Sequence, residues 1–121
     1  MPEAPRPTAE ELDELALIVR RDPGSPAFVD LALALLALGR PRESIDAATA
    51  GLRSNPDNRE GKLVLARGHV ALHQWKEAQN ELVNLVRTDR ANRAGFTLLG
   101  EVLLRRADYE RAMPVLQAAQ N

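Results

Sequence analysis

The chain has 121 residues, and its 16 basic and 17 acidic side chains leave a formal charge of −1. That balance lacks the dense positive field that non-specific nucleic-acid binding requires. Cysteine is absent, which excludes disulfides and thiolate metal ligands. Aromatic residues make up only 3% of a chain rich in Leu and Ala, a composition that favours closely packed helices. No apolar run approaches the roughly 20 residues that a membrane span needs.

The N-terminal part is predicted to contain a lead-in and one helix. Residues 1–7 hold three prolines and no apolar stretch of the kind found in a secretory signal, so we expect a flexible lead-in and, by default, a cytoplasmic location. Thr8 is placed to cap a helix, with Glu11 completing a capping box. Residues 8–23 are predicted to form an amphipathic helix that ends at Asp22-Pro23-Gly24. Its apolar face consists of Leu12, Leu15, Ala16 and Val19.

A 34-residue period then runs through residues 25–121, as blocks 25–58, 59–92 and 93–121. The blocks agree at positions where helices would pack. The coinciding residues are Leu31, Leu65 and Leu99; Ala32, Ala66 and Gly100; Ser44, Ala78 and Ala112; and Ala48, Leu82 and Leu116. A repeat of this length is typical of a helical solenoid, in which each unit buries its apolar face against its neighbours.

Each block is predicted to contain two antiparallel helices joined by a short turn. Ser25 and Pro26 begin the first helix, Gly39 ends it, and Asn55-Pro56 closes the block. The six predicted helices of the blocks cover about 26–38, 42–53, 59–72, 76–88, 93–106 and 109–120. With the helix at 8–23, which is similar to the second helix of a preceding unit, the chain is expected to hold seven helices.

These features resemble the tetratricopeptide repeat family. The resemblance rests on the Leu-small pairs such as Leu31-Ala32, the small residue early in each second helix, and the large residues Trp75 and Tyr109 before two of the second helices. Pro41 in the first unit and Arg90, where the family has its closing proline, depart from the pattern. The resemblance implies an all-α, right-handed solenoid whose first helices line a concave face that binds protein.

Helical spacing on the first helices selects a candidate partner-binding groove. Its residues are Val29, Leu33, Leu36, Leu63, Arg67, Val70, Thr97, Glu101 and Leu104. The groove is expected to be apolar at one end and mixed at the other, which would suit an apolar peptide segment or an amphipathic helix. Periodicity alone leaves open that the apolar members belong to the core and that Arg67 is an ordinary surface charge.

Members of the family that bind the acidic tails of heat-shock chaperones use Lys, Asn and Arg side chains in this groove. The aligned positions here are Val29, Leu33, Val64, Ala94 and Leu98. None of these side chains can hold a carboxylate. The resemblance therefore argues against a chaperone-tail ligand.

The sequence offers little for catalysis. His69, His73 and Glu77 have the four-residue spacing of a helical metal site, but a turn expected between His73 and Lys76 would interrupt the face. The serines lack a plausible His-carboxylate arrangement, and no glycine-rich phosphate loop is present. We therefore expect a non-catalytic protein without cofactor or metal, and we expect His69 to fill space in the core.

The last helix is expected to present Met113, Leu116 and Ala119 with no capping helix after it. Solenoid ends need a polar cap for solubility. This end therefore indicates either a piece of a longer array or a face that packs on another subunit. The leading hypothesis is a scaffold that binds a partner protein in its groove, and the alternative is a module that oligomerises through this helix.

Overall fold

The computed structural model describes residues 6–120, and these form helices without any strand. The helices are α1 Ala9–Arg21, α2 Ala27–Ala37, α3 Pro41–Ser54, α4 Arg59–Ala71, α5 Trp75–Thr88, α6 Arg93–Arg105 and α7 Tyr109–Gln120. The predicted all-α architecture with seven helices is confirmed, and the boundaries differ from the predicted ones by at most two residues. Of the predicted lead-in, residues 1–5 lie outside the described part.

Side-chain caps fix several of the helix starts, those of α1, α4 and α6 among them. The Thr8 hydroxyl oxygen accepts from the backbone N–H of Glu11 at 3.1 Å. The Asn58 side chain accepts from the N–H of Gly61 and the Asn92 side chain from that of Gly95, both at 2.8 Å. Each cap satisfies one backbone donor that has no partner within its helix. Asn58 and Asn92 are 34 residues apart, so the cap repeats with the unit.

The turn between the two helices of each unit needs one residue with a positive φ. That residue is Gly39 in the first unit, His73 in the second and Ala107 in the third, with φ values of 72°, 57° and 59°. Glycine enters this region without a steric penalty, whereas a residue with a Cβ is strained there by about 1–2 kcal/mol. The repeat therefore keeps the same backbone turn although only its first unit has the residue best suited to it.

The helices stack so that first and second helices form two different layers. Each helix contacts its neighbour in the sequence, and α4 also contacts both α2 and α6. Within the described residues, the second helices α3, α5 and α7 make no such contact with one another. The first helices α2, α4 and α6 therefore form a continuous inner layer, while the second helices are spread apart on the outside.

Small residues allow this close approach. Ala32, Ala66 and Gly100 are all buried, as the repeat alignment predicts. The Ser44 hydroxyl is fully buried and donates to the carbonyl oxygen of Ala32 at 2.7 Å, which ties α3 to α2. Burying a hydroxyl without a partner costs free energy, so this bond makes the small polar residue compatible with the core.

Phe28 is the largest fully buried side chain and lies between two glycines. A Cβ added to Gly51 of α3 would overlap its ring, and one added to Gly61 of α4 would lie 2.7 Å from its Cζ. Since interiors are close-packed, a ring held from two sides has no room to move away. This one side chain thus joins the first helix of one unit to the first helix of the next.

Candidate interaction surface

The inner layer presents a surface with apolar and charged parts. Leu33 on α2 and Leu104 on α6 are among the few large apolar side chains of the described residues that are exposed. The predicted groove residues Leu36, Leu63 and Val70 are half-buried, whereas Arg67, Thr97 and Glu101 are exposed. Because α4 lies between α2 and α6, its Leu63, Arg67 and Val70 occupy the middle of this surface.

Val29 is the exception among the predicted groove residues. Its side chain is only 5% exposed, so it belongs to the core and offers almost no surface to a partner. The sequence analysis left open that some of the apolar groove residues belong to the core, and this is the case for Val29. A helical stripe defined by spacing alone cannot separate two neighbouring faces of a helix that is apolar on most of its circumference.

Arg67, Thr97 and Glu101 meet around one open cavity of about 500 Å³ between α4 and α6. Three further residues line it, namely Arg93, Ala94 and Leu98. The Thr97 hydroxyl donates to the carbonyl oxygen of Arg93 at 2.9 Å, so it is already engaged within α6. The cavity therefore combines an apolar lining with three charged side chains.

The charges of this cavity are available to a partner. Among the described residues, Arg67, Arg93 and Glu101 form no ion pair within 4 Å. Arginine presents five donors in a planar fork, which suits carboxylates and backbone carbonyls of a ligand. Arg93 was not among the predicted groove residues, although its position four residues before Thr97 places it on the same face of α6.

The positions that would hold an acidic chaperone tail are unsuited to it in the structure as well. Val29 and Val64 are buried in the core. Leu33 and Ala94 are exposed and Leu98 is half-buried, but none of these side chains carries a donor. A free carboxylate at these positions would find apolar groups where it needs hydrogen bonds.

The last helix does not present the three predicted residues as one exposed face. Ala119 is buried, and Leu116 packs on α6, where a Cβ on Gly100 would overlap its side chain. Met113 is 56% exposed, and Tyr109, one turn before it, is 63% exposed. Of the three predicted residues, only Met113 is therefore open to a second molecule.

Both histidines contact neighbouring side chains of the chain. His69 is half-buried, and its Nδ1 lies 2.8 Å from Oε1 of Gln74. His73 follows the end of α4 at a positive φ and stacks on Trp75, with 5.1 Å between the ring centroids. Among residues 6–120 no group of three or more potential metal ligands comes together. In this range there is also no helix with the length and apolarity that crossing a membrane requires.

Antiparallel helix pairs repeated at 34 residues, with an open inner layer of first helices, define a helical-repeat protein. The family model described as tetratricopeptide repeat matches residues 29–67 and 63–121. The chain belongs to the tetratricopeptide repeat family, as the sequence resemblance indicated. Comparison with curated proteins finds no matching sequence.

Solved structures support the same fold at low sequence identity. The crystal structure of MamA has a TM-score of 0.84 and 13% identity, and the match covers 90% of this chain and 64% of that one. A second MamA structure, MamA MSR-1 C2, has a TM-score of 0.78 at 13% identity over 92% and 64% of the two chains. YrrB, described as a TPR protein with an unusual peptide-binding site, has a TM-score of 0.80 at 17% identity over 89% and 56%. The chain thus spans between 56% and 64% of the length of these similar structures.

Proposed function

We propose that this protein is a non-catalytic scaffold that holds a peptide or a helix of a partner protein against its inner layer. The observation that carries the proposal is the cavity between α4 and α6, where Arg67, Arg93 and Glu101 surround an apolar lining without ion pairs to other described residues. The membership in a family of protein-binding repeats agrees with it. YrrB, which shares the fold, is itself described as having a peptide-binding site.

The distribution of polarity along the inner layer suggests what the partner segment looks like. The α2 end offers Leu33 and Leu36, while the α6 end offers Arg93 and Glu101. A short helix or extended segment with apolar side chains at one end and charged side chains at the other would match both ends. Apolar contact would supply most of the affinity, and the charges would fix the direction of the segment.

The test is a pair of matched double variants and a partner isolated with the wild-type protein. Leu33→Asp with Arg67→Glu changes the inner layer. Ala50→Asp with Arg42→Glu makes the same changes in charge on exposed positions of α3. We expect the inner variant to weaken binding of the isolated partner about 100-fold or more, and the α3 variant to bind like wild type. Equal affinity of the inner variant, at unchanged helicity, would refute the assignment of this surface.

A second candidate function is self-association through α7. It is favoured by the exposure of Tyr109 and Met113 on the flank of α7 that no other described helix covers. The equivalent residues of α5, Trp75 and Gln79, are half-buried. Met113→Glu is the appropriate test, because Leu116 already packs on α6. A species larger than a monomer that is lost in Met113→Glu would support this candidate, whereas a mass unaffected by the substitution would exclude it.

A further inference from the structure

The outer surface carries two grooves that occupy equivalent places in the repeat. The first outer groove lies between α3 and α5, with Leu65 of α4 among its lining residues, and forms a cavity of about 460 Å³. The second outer groove lies between α5 and α7, with Leu99 of α6 among its lining residues, and contains cavities of about 370 and 150 Å³. Both grooves exist because the second helices are spread apart.

The two grooves differ in polarity at five equivalent positions. The first groove has the polar residues Thr49, Lys62, Asn80, Glu81 and Asn84. Thirty-four residues later, the second groove has Val83, Phe96, Pro114, Val115 and Ala118 in the same places. Each of these ten residues lines its groove. The first groove thus carries polar side chains at all five positions, whereas in the second groove Val83, Phe96 and Val115 are half-buried, so that part of each packs on the core and part remains open in the groove.

Charges mark the two ends of the second outer groove. Arg90 and Arg93 line the end next to Phe96 and Ala118. Glu110 and Arg111 line the other end, next to Val83 and Val115, and Arg111 forms an ion pair with Asp108 at 3.5 Å. Arg90 and Arg93 form no ion pair within 4 Å among the described residues. An occupant of this groove would thus be acidic at the end near Arg90 and Arg93 and apolar along its middle. A basic group at its other end would find Glu110, because Arg111 is engaged by Asp108.

Helix α1 of the same chain has this pattern on its outer face. Glu10, Glu14, Leu17, Ile18 and Arg21 have the spacing of one helical face, opposite to the side that packs on α2. Leu17 and Ile18 are 42% and 46% exposed, which is unusual for large apolar side chains. The acidic residues of the first turn form no ion pair with other described residues. Arg20 and Arg21 end the helix.

We propose that α1 of one copy docks into the second outer groove of another copy. With its N-terminal end at Arg90 and Arg93, α1 would place Leu17 and Ile18 over the apolar walls and its terminal arginines near Glu110. The lengths agree, because the 13 residues of α1 and the 12 of α7 extend about 20 and 18 Å. Apart from Arg93, which lines both cavities, this groove shares no lining residue with the inner cavity, and it differs from the Met113 flank of α7.

The contact joins two different surfaces, which decides the kind of assembly. A copy bound through its α1 keeps a free second outer groove, and a copy bound through its groove keeps a free α1. Such head-to-tail contacts produce open chains or rings, not closed two-fold dimers. The average mass in solution is therefore expected to rise with protein concentration.

The first experiment measures mass by light scattering across concentrations up to about 1 mM, a range that detects weak contacts. The groove variant Val83→Thr, Pro114→Asn, Val115→Glu introduces the residues of the first outer groove. Because Val83 and Val115 also pack on the core, the helicity and Tm of the variant are measured together with its mass. The helix variant Leu17→Gln, Ile18→Gln changes only exposed positions. Both are expected to remain monomeric at concentrations where wild type assembles. Arg90→Glu, which leaves Arg93 of the inner cavity unchanged, is expected to raise the dissociation constant about tenfold.

Mixing the two monomeric variants provides the decisive measurement. The groove variant still has an intact α1, and the helix variant still has an intact groove, so the mixture is expected to form a one-to-one dimer that grows no further. Monomeric wild type at all concentrations, assembly retained by either variant, or two monomeric variants that fail to pair would each overturn the proposal. Dissociation by Met113→Glu alone would also overturn it in favour of the α7 flank.

A failure of this proposal can be distinguished from a failure of the proposed scaffold function. Leu33→Asp with Arg67→Glu should leave assembly unchanged, because those residues lie on the inner layer. Conversely, the helix variant should bind an isolated partner of the inner layer as wild type does. If the inner-layer variant and the helix variant each changed both the assembly and the binding of the partner, the two surfaces would not be separate. The docking proposal would then be wrong.

Discussion

Replacing Gly51 by Ala tests whether Phe28 organises the first unit. In an ordinary helix interior this substitution stabilises by about 1 kcal/mol, because glycine has the greater freedom in the unfolded chain. Here the added methyl group would overlap the ring of Phe28. The ring cannot retreat towards α4, since Gly61 already approaches it there. Overpacking typically costs about 1–3 kcal/mol, and a ring confined on both sides places this site at the upper end.

The expected result for Gly51→Ala is therefore a net loss of about 2 kcal/mol, the difference between about 3 kcal/mol of overpacking and about 1 kcal/mol of helix propensity. For a domain of this size, that corresponds to a decrease in Tm of roughly 8 °C. Urea unfolding followed by far-UV circular dichroism measures it as a shift of the midpoint at constant slope.

A double-mutant cycle identifies the cause. In a Phe28→Leu background the side chain is smaller, so Gly51→Ala should become nearly neutral or stabilising. The interaction energy between the two sites should then be about 2 kcal/mol. Gly51→Ala as stable as wild type would refute the argument. So would the same destabilisation in both backgrounds, since the overlap with the ring would not then be its origin.

Three further substitutions test other features of the fold. Ser44→Ala removes the hydrogen bond to the carbonyl of Ala32 and should cost about 1–2 kcal/mol in urea unfolding, and a neutral result would mean that the bond contributes nothing. Ala107→Gly relieves a positive φ and should raise stability by about 1 kcal/mol; a decrease in Tm would contradict the strain. Leu116→Glu should cost about 2 kcal/mol through lost packing on α6, whereas Met113→Glu should stay within about 0.5 kcal/mol. Similar stabilities for these last two variants would show that Leu116 is not packed as described.

The sequence was sufficient to predict the order and ends of the helices. The 34-residue period makes each element appear three times, so a weak signal at one position is supported by two others. The turn at Gly39, for example, predicts where α2 ends, and the backbone repeats that turn at His73 and Ala107 although neither is glycine. Such turns cannot be recognised from residue type alone in the later units.

The side of a helix that faces a partner was harder to predict. Val29 has the same spacing as Leu63 and Thr97, but it is buried because α2 is apolar around most of its circumference. The repeat alignment placed Leu116 among the packing positions, whereas the argument about the last helix expected it to be exposed, and its contact with Gly100 agrees with the alignment. Spacing shows that two residues share a face, whereas contact with another helix depends on how the helices are arranged in space.

The contrast between the two outer grooves is present in the sequence, at pairs such as Thr49 and Val83 or Glu81 and Val115. An alignment of the units draws attention to the positions where they agree, whereas the useful signal here is a difference in polarity at equivalent positions on the outer surface. Recognising it requires knowing that these residues line the same groove. The structure provides that knowledge by separating α5 from α7 while keeping both against α6.

Helix α1 is less buried than the other helices, and this determines which part of the chain should unfold first. None of its 13 residues is buried, whereas every other helix has at least two buried side chains. The free energy needed to detach α1 is therefore smaller than that of unfolding any internal helix, because few apolar contacts are lost. Its amide protons should exchange with solvent fastest among the helices, and a protease should cleave here before it reaches the repeats.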